Sequence, residues 1–153
     1  MPDYTTQATV HPFLPKTAFT DFEQALLIAC GFAAEEVTED PSLLYFYAED
    51  GVRGMDAFEF FDSTEEDYSQ DPRYADYFGD DPNNSVDADY IFQKVLNKPE
   101  CAGTQFISIE GANTCSRMCP ESFGGFASFI TRTEVDFMAT NNWISQKTQG
   151  LMP

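Results

Sequence analysis

Apolar positions between residues 20 and 31 recur at helical spacing: Phe22, Leu26 and Ala29, with Ala25 beside them, fall on one face. Thr20 and Glu23 stand three residues apart at the start of that run. In this pattern a hydroxyl accepts from the backbone ahead of it while the carboxylate reaches back, so two otherwise unpaired N–H groups are satisfied. Gly31 sits where a left-handed terminal residue belongs, and a helix over 20–30 follows. Residues 43–47, Leu-Leu-Tyr-Phe-Tyr, suit a pleated, half-buried strand, and Glu49, Asp50 and Gly51 supply a turn after it. Over 54–62 two periods compete. Phe58 and Phe61, with Asp56, Glu59 and Asp62 opposite, fit a helix, whereas Phe58 and Phe60 flanking Glu59 fit a strand. A second helix is expected over 86–97, with Ser85 as its cap and Asp87 and Asp89 at its positive end. Lys94 and Lys98 lie near its other end, and Pro99 stops it.

Later positions alternate. Phe106, Ile107 and Ile109 mark a strand over 105–110, and Gly124-Gly125 opens another over 126–131. Thr131 and Glu134 repeat the capping pattern ahead of a strand or helix at 135–138, and Asn141 or Asn142 starts a short terminal helix carrying Trp143 and Ile144. Two stretches lack such periodicity. Residues 1–18, with Pro12 and Pro15 around His11 and Phe13, read as an extended N-terminal arm. Residues 63–85, broken by Pro72, Gly79, Pro82 and Asn83-Asn84, read as an acidic surface excursion with helical turns at 74–78. This order predicts an α+β fold in which a small, mostly antiparallel sheet packs with two or three helices in a single domain, 1–153.

Composition adds one fact the pattern does not contain. With 42% hydrophobic residues, 15 Phe and 7 Tyr, the chain can bury a core, yet 26 acidic residues face 8 basic ones for a formal net charge of -18. The imbalance is local. Residues 35–89 hold 18 of the acids against Arg53 and Arg73 alone, while the rest of the chain is nearly neutral. Such a surface disfavours direct contact with nucleic acid or an anionic membrane, both of which recruit cations. The start of the chain lacks a basic segment followed by an apolar one, and the apolar run at 25–30 is too short to span a bilayer. With four cysteines and no leader, the expectation is a cytoplasmic protein with reduced thiols.

Aromatic residues interleave with the acids, which separates this block from a low-complexity tail. Closely spaced carboxylates on an ordered scaffold imitate the phosphates of a nucleic acid and accept Lys and Arg groups from the cleft that normally binds it. Glu65, Glu66, Asp67, Asp71, Asp76, Asp80 and Asp81 are the candidate phosphate surrogates, with Tyr68, Tyr74 and Tyr77 as ring anchors for guanidinium groups. In charge, size and aromatic acidity, concentrated at 35–89, the chain resembles the acidic nucleic-acid mimics of phages and plasmids that disable bacterial defences, of the anti-CRISPR and anti-restriction type. The resemblance is one of character rather than motif. It implies a small, non-catalytic inhibitor in the host cytoplasm. Its partner would be a basic nucleic-acid-binding complex such as a CRISPR effector or a restriction enzyme.

Other chemistry is weaker. Residues 81–89 place oxygen-bearing side chains at alternate positions as a calcium loop does, but Val86 replaces the required glycine and Phe92 the closing glutamate. Cys115 and Cys119, with Cys101 upstream, are spaced for neither a zinc site nor a CxxC redox pair, although a disulfide among them is open. Gly124-Gly125 is followed by no Lys-Ser/Thr, so it is no phosphate loop. One histidine, His11, gives no basis for a histidine triad. A binding protein without metal or cofactor is therefore expected rather than an enzyme. The alternatives are an interaction module whose acids only solubilise it, and a metal- or redox-responsive protein using residues 81–89 or the cysteines.

Overall fold

Residues 7–10, Gln-Ala-Thr-Val, alternate polar and apolar, and this short pattern sits at the centre of the sheet. In the computed structural model, which describes residues 4–64, 66–81, 83–120 and 122–151, β1 (Tyr4–His11) pairs along its length with β5 (Ile107–Cys115). On its other side β1 meets the end of β4 (Asp40–Ala48), and β2 (Leu14–Pro15) continues that pairing toward the start of β4. A hairpin partner, β3 (Ala33–Val37), also pairs with β4. β6 (Gly124–Ile130) and β7 (Val135–Ala139) extend the sheet beyond β5, and every pairing is antiparallel. The seven strands form one sheet.

Helices cover one face of it. α1 (Asp21–Ala29) and α4 (Ala88–Leu96) press Phe22, Leu26, Leu27, Ile91, Phe92 and Val95 onto Val10, Leu44, Phe46, Ile107, Ile109 and Ile130. Phe92 is the hub, its ring 5.4 Å from Phe46 and 5.9 Å from Phe32. Burying one such side chain stabilises the fold by about 1.5–3 kcal/mol. α2 (Ala57–Ser63) and α3 (Tyr74–Phe78) pack outside α1 through Phe60, Tyr77 and Phe78. α5 (Thr140–Gln149) buries nothing.

The α+β architecture with an antiparallel sheet is as the pattern predicts. α1 has its full capping box on Thr20 and Glu23, and Gly31 adopts φ +108° after it. Two local expectations are corrected and two open ones are resolved. Within the arm expected at 1–18, residues 4–11 form the central strand, because the alternation of Gln7, Ala8, Thr9 and Val10 outweighs the prolines that follow, and β2 and a 3-10 turn at Lys16–Ala18 come after it. Helix wins at 57–63, where Asp56 and Glu59 cap each other reciprocally. The second long helix starts at Ala88, capped by Asp87 rather than Ser85, because Val86 is drawn into a bridge with Met55. At 135–138, open between strand and helix, the strand forms: Thr131 and Glu134 close the β6–β7 turn, the Thr131 N–H donating to the Glu134 carbonyl at 2.8 Å.

Candidate functional site

Phe22 organises the acidic block. Its ring lies 5.5 Å from Phe60, 5.9 Å from Tyr68, 5.4 Å from Tyr74, 5.8 Å from Tyr77 and 6.2 Å from Phe78. These five aromatic residues thus turn inward onto α1, while Glu66, Asp67, Asp76, Asp80 and Asp81 stay on the exposed side. The acidic stretch is an outer layer with its own apolar underside.

The layer is also held by charge. Glu23, fully buried on α1, accepts hydrogen bonds from the Tyr77 hydroxyl on α3 and from the Lys98 ammonium just beyond α4. Lys98 also donates to the Ala18 carbonyl at 2.6 Å, and Arg73 Nε lies 3.4 Å from the same carboxylate. Burial pushes the Glu23 carboxyl up, but the hydrogen bonds from Lys98, Tyr77 and the Thr20 backbone outweigh it and hold the group below its ordinary value. Burial pushes the Tyr77 phenol far up, and donation to Glu23 adds to it, so this hydroxyl stays protonated as the donor. Breaking such a buried pair leaves an uncompensated charge, which costs about 3–5 kcal/mol.

The expected site residues divide accordingly. Tyr77, with 4% exposure, is a core residue and not a surface anchor. Tyr68 and Tyr74 are half-buried, their rings engaged by Phe22. Asp71 is half-buried and accepts the Arg73 N–H at 2.8 Å, which makes it a turn former. Asp76 pairs with Arg73 at 2.9 Å. Asp67 and Asp81 accept the N–H groups of Ser69 and Asn83 and remain exposed, as do Glu66 and Asp80. Glu65 lies outside the described residues.

Across the sheet lies a second feature that the sequence did not announce. The face opposite the helices carries a groove of about 800 Å³ running from β3 and β4 over β1, β5 and β6 to β7 and the start of α5. Its floor is low because Ala112 and Ala127 place only methyl groups there and Gly125 has no side chain. Tyr45 and Tyr47, stacked 5.3 Å apart, stand at one end, and Met138 and Thr140 at the other. Tyr47 donates to Glu35 at 2.9 Å, which raises the phenol above its ordinary value, and Glu110 joins Glu35 in the lining. Alternation in 43–48 could have shown Tyr45 and Tyr47 sharing a face. Their neighbours across the groove depend on strand register.

The remaining candidates are dispersed. Asp81 accepts from Asn83, Asp87 caps α4 through the Tyr90 N–H, and Asp89 accepts from Ser128 at 3.0 Å. Burial raises the Asp89 carboxyl. Among the described residues no three His, Cys, Asp or Glu side chains are grouped to hold a metal ion. Cys30 and Cys101 are buried, with burial lifting the Cys30 thiol to about 12. Cys115 and Cys119 are half-buried at the β5–β6 loop, and burial together with a mutual hydrogen bond raises the Cys119 thiol. Among the described residues no helix is long and apolar enough to cross a membrane. No family model, curated protein or solved structure matches the chain.

Proposed function

We propose that this protein is an acidic inhibitor that occupies the nucleic-acid cleft of a basic host-defence complex, a CRISPR effector or a restriction enzyme, with its outer acidic layer in place of phosphates. The observation that carries the reading is the attachment of that layer. Its aromatic residues dock on Phe22, and Tyr77 and Arg73 meet the buried Glu23, so Glu66, Asp67, Asp80 and Asp81 project from a fixed support. Carboxylates fixed before binding lose little freedom on meeting Lys and Arg, and the concentrated negative field speeds encounter. The inward turn of Tyr68, Tyr74 and Tyr77 narrows the contact to carboxylates, so affinity would depend steeply on salt.

The test is inhibition of DNA cleavage by a purified Cas nuclease and by a purified restriction enzyme. Inhibition that weakens with salt, is competed by excess duplex or guide RNA, and is lost in the quadruple Glu66→Lys, Asp67→Lys, Asp80→Lys, Asp81→Lys variant is the expected result. Inhibition that survives the quadruple change would remove this surface from the contact. The absence of any inhibition, joined with no salt-sensitive capture of a nucleic-acid-binding protein from bacterial lysate, would defeat the reading.

A further inference from the structure

We infer that the groove on the open face of the sheet is a binding site for a small organic cation, an ammonium group on a flat apolar body. The site is distinct from the outer acidic layer and the inference stands independently of the proposal above. At about 800 Å³ the groove has the capacity of a small-molecule site. Its two halves differ chemically. At the β3–β4 end Glu35 supplies negative charge beside the stacked rings of Tyr45 and Tyr47, aromatic faces of the kind that attract ammonium groups, and Glu110 adds a second carboxylate midway across, on β5 between Thr9 and Ala127. Toward β7 the lining is Ala112, Ala127 and Met138, which offers contact to a hydrocarbon body and no charge.

Among the described residues no Lys, Arg or His lines the groove, so none of them faces its carboxylates with a cation there. Elsewhere on the exposed surface such partners do occur: Glu36 pairs with Lys16, and Glu59 with Arg53. The contact that Glu35 does make is with a neutral donor, Tyr47, which orients the carboxylate without cancelling its charge. A site with uncompensated negative charge, aromatic walls and an apolar half selects a ligand with the complementary polarity. An anion of the same shape would meet repulsion at one end and gain only the apolar contact at the other.

The probe is tryptamine, compared with indole-3-propionate, which has a similar apolar body and opposite charge. Titration into the isotopically labelled wild-type protein at near-physiological salt, followed by amide shifts, is expected to move Gln7, Thr9, Gly111, Ala112, Gly125 and Ala127 saturably in the sub-millimolar range. Indole-3-propionate should leave them in place. Glu35→Gln with Glu110→Gln should weaken tryptamine about tenfold or more, the loss expected when charge-assisted contacts are removed. Ala127→Trp should abolish binding by filling the floor, and Asp80→Asn, on the other side of the molecule, should change nothing. Shifts confined to the outer acidic layer, equal binding of the anionic analogue, or unchanged affinity in the double glutamine variant would each overturn the inference. So would a result in which a short arginine-bearing peptide moves the groove amides and tryptamine does not, since the groove would then be a protein contact. The wild-type shift map decides the matter even if Ala127→Trp fails to fold.

Discussion

α4 and α5 are of nearly equal length, nine and ten residues, and lie next to the same strand, β6, yet they have opposite fates. α4 carries Ile91, Phe92, Val95 and Leu96 on one side and Lys94 and Asn97 on the other, and it becomes the centre of the core. α5 offers Trp143 and Ile144 among Asn, Ser, Gln, Lys and Thr, and both stay more than half exposed. An amphipathic helix gains little from propensity in water and most of its stability from the face it buries. The core-facing side of the sheet is therefore a structural device, while the opposite side and α5 are left with apolar atoms and hydrogen-bonding groups in contact with solvent.

Four measurements break or sharpen that contrast. The largest effect is expected from Phe92→Ala, which should lower unfolding free energy by about 3–5 kcal/mol in a urea titration, because Phe32 and Phe46 lose their common neighbour. A smaller loss, about 3 kcal/mol at neutral pH, is expected for Glu23→Gln, which leaves Lys98 without its counter-charge. The pH dependence has a definite sign. A carboxyl held low in the folded state contributes stability that is complete above its unfolded value of 4.5 and disappears as pH falls through the folded value. The gap between wild type and Glu23→Gln should therefore close on acidification; a gap that widens would refute the network's role. Asp56→Ala, which removes the cap of α2, should cost about 1 kcal/mol and be read in the same titration. The smallest effect belongs to Trp143→Ala on α5, within about 0.5 kcal/mol; a loss near that of Phe92→Ala would mean the helix is buried in solution against something else.

The sequence was legible where neighbours in the chain decide the outcome. Thr20 with Glu23, Gly31 and Pro99 act over a few residues, and each does what its chemistry predicts. Asp56 and Glu59 carry the same local capping signal, and it decides for helix where the aromatic period alone fits either element. Legibility failed where a distant residue decides. Tyr68, Tyr74 and Tyr77 are polar-tipped rings in an acidic stretch, and nothing local says that Phe22, some fifty residues earlier, will draw them inward. Val86 is removed from its helix by Met55, more than two dozen residues away. Glu23 reads from the sequence as a cap alone, but its carboxylate serves both the Thr20 N–H and Lys98. The groove was the least legible feature, since it exists only when several strands align their small residues.

The placement of β1 has a consequence for how the molecule is made. Its pairing with β5 joins Tyr4 to Cys115 and His11 to Ser108. On a ribosome, the middle strand of the sheet is synthesised before all the others, and it waits for about a hundred further residues before its long edge is satisfied. During that interval the β3–β4 hairpin and α1 can assemble from local contacts, with the negative charge of 35–89 keeping nascent chains apart. The long edge of β1 is satisfied late, when β5 emerges, and β6 and β7 then extend the sheet outward from β5.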